Sequence, residues 1–172
     1  MGVNFELRPW SFSDLESLVK YANNPAIARN LTNQFPHPYL VQHGRQFIEM
    51  AMSHHPVRIF AIEINGEAAG GIGIHPQNDV YCTNAELGYW LAETYWGNGI
   101  ITQSIIQMIA YGFKNFEINR IFARPSGSNK ASQRVLEKAG FVLEATLKGT
   151  FLKNGVVEDE LIYAVRRNNL GK

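Results

Sequence analysis

The sequence lacks the features that are typical of disulfide-bonded, membrane-spanning and secreted proteins. One of its 172 residues is a cysteine, Cys82, so no internal disulfide can form, which fits a reducing compartment. It has no run of 18 apolar residues, so no transmembrane helix is predicted. The first ten residues, MGVNFELRPW, lack the basic and then apolar pattern of a signal peptide. We therefore expect a cytoplasmic protein with no membrane partner.

An excess of either charge is also absent. Lysine and arginine number 16 against 15 aspartates and glutamates, a net charge of +1. The one adjacent basic pair of the C-terminal stretch is Arg166-Arg167, so we expect no nucleic-acid partner. A hydrophobic content of 45% with 18% charged residues is typical of a globular core. Because no repeat, linker or low-complexity stretch is present, one domain over residues 1–172 is predicted.

The first third of the chain carries helical patterns. Ser13 and Glu16 have the spacing of a capping box. One helical face follows, made of Leu15, Leu18, Val19 and Ala22, and Pro25 ends it. We expect residues 26–40 to be irregular and a second helix to span about 42–52.

The remainder alternates between strands and helices. Asn65-Gly66 and Asn154-Gly155 each lie between two strand-like stretches and predict type I′ hairpins. A long buried helix is predicted after Gly99, and another between Asn129 as N-cap and Gly140 as stop. The predicted order is β-αα-β-β-β-α-β-α-β-β, which implies a mixed sheet with helices on it.

The stretch ETYWGNGIITQS, residues 93–104, places Gly97 and Gly99 between a strand and the long helix. Glycine permits positive φ, and the first N–H groups of a helix attract anions, so the pattern indicates a phosphate site. An ordinary tight turn explains the two glycines equally well. A P-loop is excluded because no lysine occurs between Gly97 and Lys114, and a Rossmann fingerprint because Thr102 stands at its third glycine position.

Four stretches in order resemble the GCN5-related N-acetyltransferases (GNAT), and most closely their RimJ/RimL-type branch. The resemblance extends over residues 3–166, and the order and spacing of the stretches make it specific. These stretches are LRPWSFSDLESLVKYANNP, AELGYWLAETYWGNGIIT, NKASQRVLEKAGF and GTFLKNGVVEDELIYAV. The resemblance implies the α/β (α+β) acyl-CoA N-acyltransferase fold. Its mixed, mostly antiparallel sheet has about seven strands, splayed after the fourth, with about four helices.

The resemblance also implies acetyl-CoA as co-substrate and a primary amine as acceptor, either a protein N-terminus or a small amine. The amine would attack directly in a ternary complex. The same cofactor site would serve a non-catalytic acetyl-CoA-binding sensor or scaffold, and this second interpretation stays open. We expect a monomer or a homodimer.

Cofactor-binding residues follow from the resemblance position by position. The backbone of β-strand residues would pair with the pantetheine arm, the glycine loop would hold the pyrophosphate, and the next helix would add side-chain contacts. Asn98 is expected to point outward and to be replaceable. Thr94 stands where the family usually has Gln or Arg, and Leu136 where many members have a tyrosine acid. The implied residues are Trp90, Leu91 and Ala92; Trp96, Gly97, Asn98, Gly99, Ile100, Ile101 and Thr102; and Asn129 and Ser132.

Glu86 is the best candidate for the general base, directly or through water. It shares a strand face with Gly88 and Trp90, and a glutamate on that strand is the base in several family members. The alternative is a structural, hydrogen-bonded glutamate. Ser132 is the candidate proton donor to the CoA sulfur, with helix N-capping as its alternative.

Three further residues are predicted to contact the acceptor, namely His37, Tyr89 and Asp159. For Asp159 a solvated strand edge is the alternative. No two of the five histidines have the i, i+4 spacing of a zinc site, so we expect no metal.

Overall fold

The computed structural model describes residues 3–169. Seven strands in this range form one sheet in the order β1-β2-β3-β4-β5-β7-β6. The β4–β5 pair is parallel, and the β1–β2, β2–β3, β5–β7 and β6–β7 pairs are antiparallel. The predicted mixed, mostly antiparallel sheet is therefore confirmed. The strands are β1 Glu6–Pro9, β2 Ile59–Ile64, β3 Glu67–Pro76, β4 Asn84–Leu91, β5 Arg120–Ala123, β6 Val142–Lys153 and β7 Val156–Arg166.

Five α-helices occur in the described range, one more than predicted. They are α1 Leu15–Ala22, α2 Pro25–Ala28, α3 Val41–Met52, α4 Ile100–Asn115 and α5 Lys130–Lys138. The additional helix, α2, lies in the stretch expected to be irregular. It forms because the Asn24 side chain accepts a hydrogen bond from the Ala26 N–H and Pro25 fits the first helical turn.

The capping box lies two residues earlier than predicted. The Ser11 hydroxyl accepts from the Ser13 N–H, and the Ser11 N–H donates to Asp14 Oδ2 at 2.9 Å. Asp14 is buried and forms a bidentate pair with Arg8, at 2.8 and 2.7 Å. The prediction of Ser13 and Glu16 was wrong because the pairing with Arg8, on a neighbouring strand, decides which carboxylate turns inward.

The predicted turns and helix ends are confirmed where local chemistry decides them. Both residues of each Asn-Gly turn have positive φ, 52° and 82° at the first and 52° and 78° at the second. The Asn129 side chain caps α5 by accepting from the Ser132 N–H, and Gly140 follows the helix with φ of +92°.

The chain divides into two compact units. Unit 1 comprises the residues up to Gly73 together with Tyr89–Ser104, and unit 2 comprises Ile74–Gly88 and the residues from Ile105 onward. Each division point falls inside a regular element, namely β3, β4 or α4, and not in a linker. No helix within residues 3–169 is long and apolar enough to cross a membrane.

Unit 1 is built around aromatic side chains. Trp10 is buried and meets Phe47 edge-on, with ring centroids 5.2 Å apart. Phe35 packs against Trp90 at 5.7 Å. These rings belong to one core cluster with the buried residues of α1 and α3, so the aromatic residues of this region serve the core.

Unit 2 gives β4 and β5 one apolar and one polar face. Ala85 and Ile121 are fully buried, and the space beside Gly112 of α4 is bounded by the side chains of Ile121 and Ile118. The alternate residues of these strands, among them Glu86 and Phe122, are only partly buried. In this part of β4 and β5 the polar face therefore carries the ionisable side chains, Glu86 and Arg120.

Candidate active site

The glycine loop of unit 1 has the backbone that the sequence predicts. Gly97 and Gly99 have φ of +79° and +76°, values that non-glycine residues rarely adopt. A Cβ at either position would meet no atom within 4 Å. The glycines are therefore required for the path of the backbone and not for close packing within the chain.

Side chains brace this loop from within. The Trp96 indole N–H donates to the Leu91 carbonyl at 2.8 Å. Asn98 is exposed, yet its amide donates to the Tyr95 and Trp96 carbonyls, both at 3.1 Å. Replacing Asn98 would therefore remove two hydrogen bonds that fix the loop. The expectation that Asn98 is replaceable did not take these hydrogen bonds into account.

The start of α4 has donors suited to an anion. The first helical hydrogen bond runs from the Gln103 N–H to the Gly99 carbonyl at 3.1 Å, so the N–H groups of residues 100–102 precede it. The Trp96 N–H is already engaged, donating to the Glu93 carbonyl at 3.1 Å. The Trp96 N–H is thus less available to an anion than the N–H groups at the start of α4, and pyrophosphate binding by the loop stays a prediction.

The end of β4 is partly engaged within unit 1. The Ala92 N–H donates to the Ala69 carbonyl at 2.8 Å, and the Leu91 carbonyl accepts from Trp96. Two backbone groups predicted to pair with pantetheine thus have hydrogen-bond partners within the chain. Trp90 is buried, with its ring against Phe35. Pantetheine binding by these residues stays a prediction.

Glu86 lies on the polar face of β4 in unit 2, in register with Phe122 of β5. Burial raises the pKa of its carboxyl above the usual value, the nearby charge of Arg124 lowers it, and that of Glu160 raises it. Two residues further along the same face is Gly88, where a Cβ would meet no atom within 4 Å. Glu86 therefore combines a raised pKa with open space beside it on the strand.

An ion pair next to Glu86 was missed in the sequence. Arg124 donates to both oxygens of the Glu160 carboxylate, from Nε at 2.9 Å and from Nη2 at 3.0 Å. Alternation along β5 from Phe122, and along β7 from Ala164, which pairs with Phe122, puts both side chains on the Glu86 face. The alternation of side chains along each strand can be read from the sequence. Which carboxylate pairs with Arg124 depends on the register between β5 and β7, which the sequence does not show.

In unit 2, Asn129 and Ser132 take part in helix capping. The Asn129 side-chain oxygen accepts from the Ser132 N–H at 3.1 Å. Helix N-capping was the alternative to a catalytic role at this position, and the hydrogen bond uses the backbone N–H of Ser132 and not its hydroxyl. Cofactor contacts of both side chains and proton donation by the Ser132 hydroxyl therefore stay predictions.

The three residues predicted to contact the acceptor lie in different surroundings. His37 is exposed in the loop between α2 and α3, and Tyr89 is half-buried in β4; both belong to unit 1. Asp159, in unit 2, bonds Lys148 at 2.7 Å and the Gly149 N–H at 3.1 Å, and these contacts lower its pKa. Asp159 thus stabilises the irregular part of the β6–β7 hairpin, and acceptor contacts by all three stay predictions.

For residues 3–169, no group of three or more His, Cys, Asp or Glu side chains is placed to hold a metal ion.

Comparison with known proteins identifies the family. A family model described as an acetyltransferase (GNAT) domain matches residues 4–142. The chain belongs to the GNAT acetyltransferases. This GNAT chain is 33% identical over 101 residues to the putative ribosomal N-acetyltransferase YdaF of Bacillus subtilis, covering 59% of this chain and 55% of that protein. It is 26% identical over 156 residues to the spermidine N(1)-acetyltransferase of Escherichia coli, covering 87% and 79%.

A solved structure extends the likeness to the fold. The structure of RimL, a ribosomal L7/L12 alpha-N-protein acetyltransferase in complex with coenzyme A, matches with a TM-score of 0.81 and 25% identity, over 94% of this chain and 93% of that one. The resemblance of the GNAT chain to the RimJ/RimL-type branch is thereby confirmed. The chain spans about half the length of the first curated relatives that it matches, 55% for the Bacillus subtilis protein.

Proposed function

We propose that this GNAT chain is an acetyl-CoA-dependent N-acetyltransferase whose general base is Glu86. One observation carries the proposal most directly. A half-buried carboxylate with a raised pKa stands beside open space at Gly88, on the strand whose end leads into the glycine loop. A strand glutamate with a purely structural role would be expected to have a hydrogen-bonded partner and packed surroundings.

The chemistry needs a base because only a neutral amine is a nucleophile. An α-amino group has a pKa of about 7.7–8.0 and a lysine-type amine about 10.4, so both are largely protonated at neutral pH. A base is most effective when its pKa approaches the working pH. The burial that raises the pKa of Glu86 therefore makes it a stronger proton acceptor while it can still be ionised.

Acetyl-CoA supplies the acetyl group as a thioester. In the proposed reaction the amine nitrogen forms the new bond to the acetyl carbon, the bond from that carbon to sulfur breaks, and the sulfur keeps the electron pair. Glu86 accepts the proton that the nitrogen loses, directly or through one water. A cysteine thiol has a pKa of about 8.5, so an alkyl thiol such as that of CoA can leave as a thiolate, and a weak donor such as the Ser132 hydroxyl is sufficient.

The acceptor is proposed only by class, as a protein N-terminus or a small primary amine. The ribosomal-protein enzymes among the relatives support the first, and the spermidine enzyme supports the second. The single cysteine fits action in the cytoplasm. Residues 97–102 are proposed to hold the pyrophosphate, while Asn129 and Ser132 are proposed to contact the cofactor from α5.

The test follows thiol release from acetyl-CoA with a panel of peptide N-termini and polyamines. For an acceptor that supports turnover, Glu86→Gln is expected to lower kcat by about 10²–10⁴-fold, the usual contribution of a general base. CoA affinity, measured by calorimetric titration, is expected to be unchanged.

Glu117→Gln is the matched control, since it makes the same chemical change at an exposed position of unit 2. It is expected to keep wild-type turnover. Unchanged turnover of Glu86→Gln would contradict the assignment of the base. CoA binding without thiol release from any acceptor in the panel would favour the sensor or scaffold.

A further inference from the structure

The polar face of unit 2 holds two carboxylates and one guanidinium close to each other. Glu86 pairs in register with Phe122 of β5, and Arg124 follows two residues later on the same face. Glu160 of β7 pairs across with Ser126, the next residue of that face after Arg124. The topology thus brings Arg124 between a carboxylate on β4 and a carboxylate on β7.

The geometry fixes the guanidinium on one of these carboxylates. Both Arg124 contacts to Glu160 are of normal hydrogen-bond length, 2.9 and 3.0 Å, in the bidentate arrangement that a planar guanidinium favours. The Glu160 side chain is only 9% exposed, whereas that of Arg124 is 46% exposed. Glu160 therefore acts as the anchor, and Arg124 is held by it.

This arrangement matters for Glu86 because charges act on it from two directions. The ionisable groups whose charges reach Glu86 are Arg124, after β5, and Glu160, on β7. A positive charge favours the ionised form of a carboxyl, and a negative charge disfavours it. If Arg124 paired with Glu86 directly, it would occupy the oxygens that have to receive a proton.

We propose that Arg124 and Glu160 form a positioning pair that keeps Glu86 ionised yet unpaired, so that it is ready to accept the proton of the incoming amine. This role rests on the proposed function of Glu86 as base. Glu160 keeps the guanidinium away from the Glu86 oxygens, and Arg124 opposes the repulsion between the two carboxylates. Neither residue needs to touch the substrate.

The proposal predicts opposite effects for the two partners. Arg124→Met leaves two carboxylates without their cation, so the pKa of Glu86 rises and the acidic limb of the rate profile moves to higher pH. Glu160→Gln removes one negative charge and frees the guanidinium for Glu86, so the limb moves to lower pH. Each shift is expected to be about one pH unit, the lower end of the usual effect of a neighbouring charge on a carboxyl.

The experiment measures kcat/KM against pH for both variants, and in parallel an NMR titration of the Glu86 carboxyl carbon. Ionisation of the acceptor amine is common to all variants and cancels from the comparison. Loss of Arg124 would leave the buried Glu160 carboxylate without its partner and can disturb folding, so the double variant Arg124→Met/Glu160→Met is included. Replacing both charges by apolar groups is often tolerated, and the double variant is expected to lie between the two single variants.

The matched control is Arg120→Met. Arg120 begins β5, on the same face as Arg124, which follows that strand, and it pairs with its own carboxylate, Glu144, at 2.7 Å. Its charge is not among those that act on Glu86, so both readouts are expected to stay at wild-type values. A shift as large as that of Arg124→Met would contradict a specific role of the Arg124–Glu160 pair.

The two readouts separate this inference from the proposed function. Opposite shifts in both readouts support the pair and the base. Opposite shifts of the Glu86 titration without any change in the rate profile support the pair but overturn Glu86 as base. Shifts of the Glu86 titration in the same direction for both single variants, or none, overturn the pair whatever the rates show.

Discussion

Single residues decide the backbone path of the glycine loop, which is the proposed binding site of CoA. Gly97 has φ of +79° and empty space where a Cβ would stand. A side chain there is opposed only by the left-handed conformation, which costs roughly 1–2 kcal/mol for an L-residue and less for asparagine. Steric conflict within the chain therefore plays no part, and the effect of a substitution depends on how well the new residue tolerates positive φ.

We predict that Gly97→Val weakens CoA binding by about tenfold or more, since 1.4 kcal/mol corresponds to a factor of ten. Gly97→Asn is expected to lose clearly less. Calorimetric titration with CoA measures both affinities. Gly66→Val is the control, because Gly66 has φ of +82° and the same open surroundings in a hairpin turn. Equal affinities of Gly97→Val and Gly97→Asn would contradict conformational strain as the cause.

Individual elements were predictable where neighbouring residues decide them. The Asn-Gly turns, the glycine loop and the Asn129 cap follow from chemistry within a few residues, and the structure has each of them at its predicted place. The Ser11 cap was missed because Asp14 is fixed by Arg8. The Arg124–Glu160 pair was missed because it exists only in the register of β5 and β7.

Strand β3 shows a packing constraint that composition does not reveal. A Cβ at Gly70 would come within 2.7 Å of the Trp90 carbonyl oxygen and 3.2 Å of Leu91 Cα. These are backbone atoms, which cannot move aside as a side chain can. Glycine is therefore required at this position so that the backbone of β3 can approach residues 90 and 91.

We predict that Gly70→Ala lowers the free energy of unfolding by about 1–3 kcal/mol, the usual cost of overpacking. Gly88→Ala on β4 is the matched control, because its Cβ would meet nothing within 4 Å. It is expected to stay within about 0.5 kcal/mol of the wild type. Urea unfolding measures both variants, and equal stability of the two would show that β3 can shift to accept a side chain.

For the whole molecule, a single domain is predicted from the sequence, and in the structure the chain divides into two compact units. The division points fall inside β3, β4 and α4, so unfolding one unit alone would interrupt regular elements that continue into the other. Hydrogen bonds along a helix or a strand pair form cooperatively, which makes such an interruption costly. We therefore predict one cooperative unfolding transition.

Coenzyme A is expected to raise the midpoint temperature, Tm, of that single unfolding transition. A ligand present at 100 times its Kd stabilises the folded state by about 2.7 kcal/mol, which corresponds to roughly 5–10 °C in Tm for a chain of this size. Scanning calorimetry with and without CoA measures the shift. Glu86→Gln is expected to keep it, since the proposed base does not hold the cofactor, whereas Gly97→Val is expected to reduce it. Two transitions, of which CoA raises only one, would contradict the single domain and assign CoA binding to one unit.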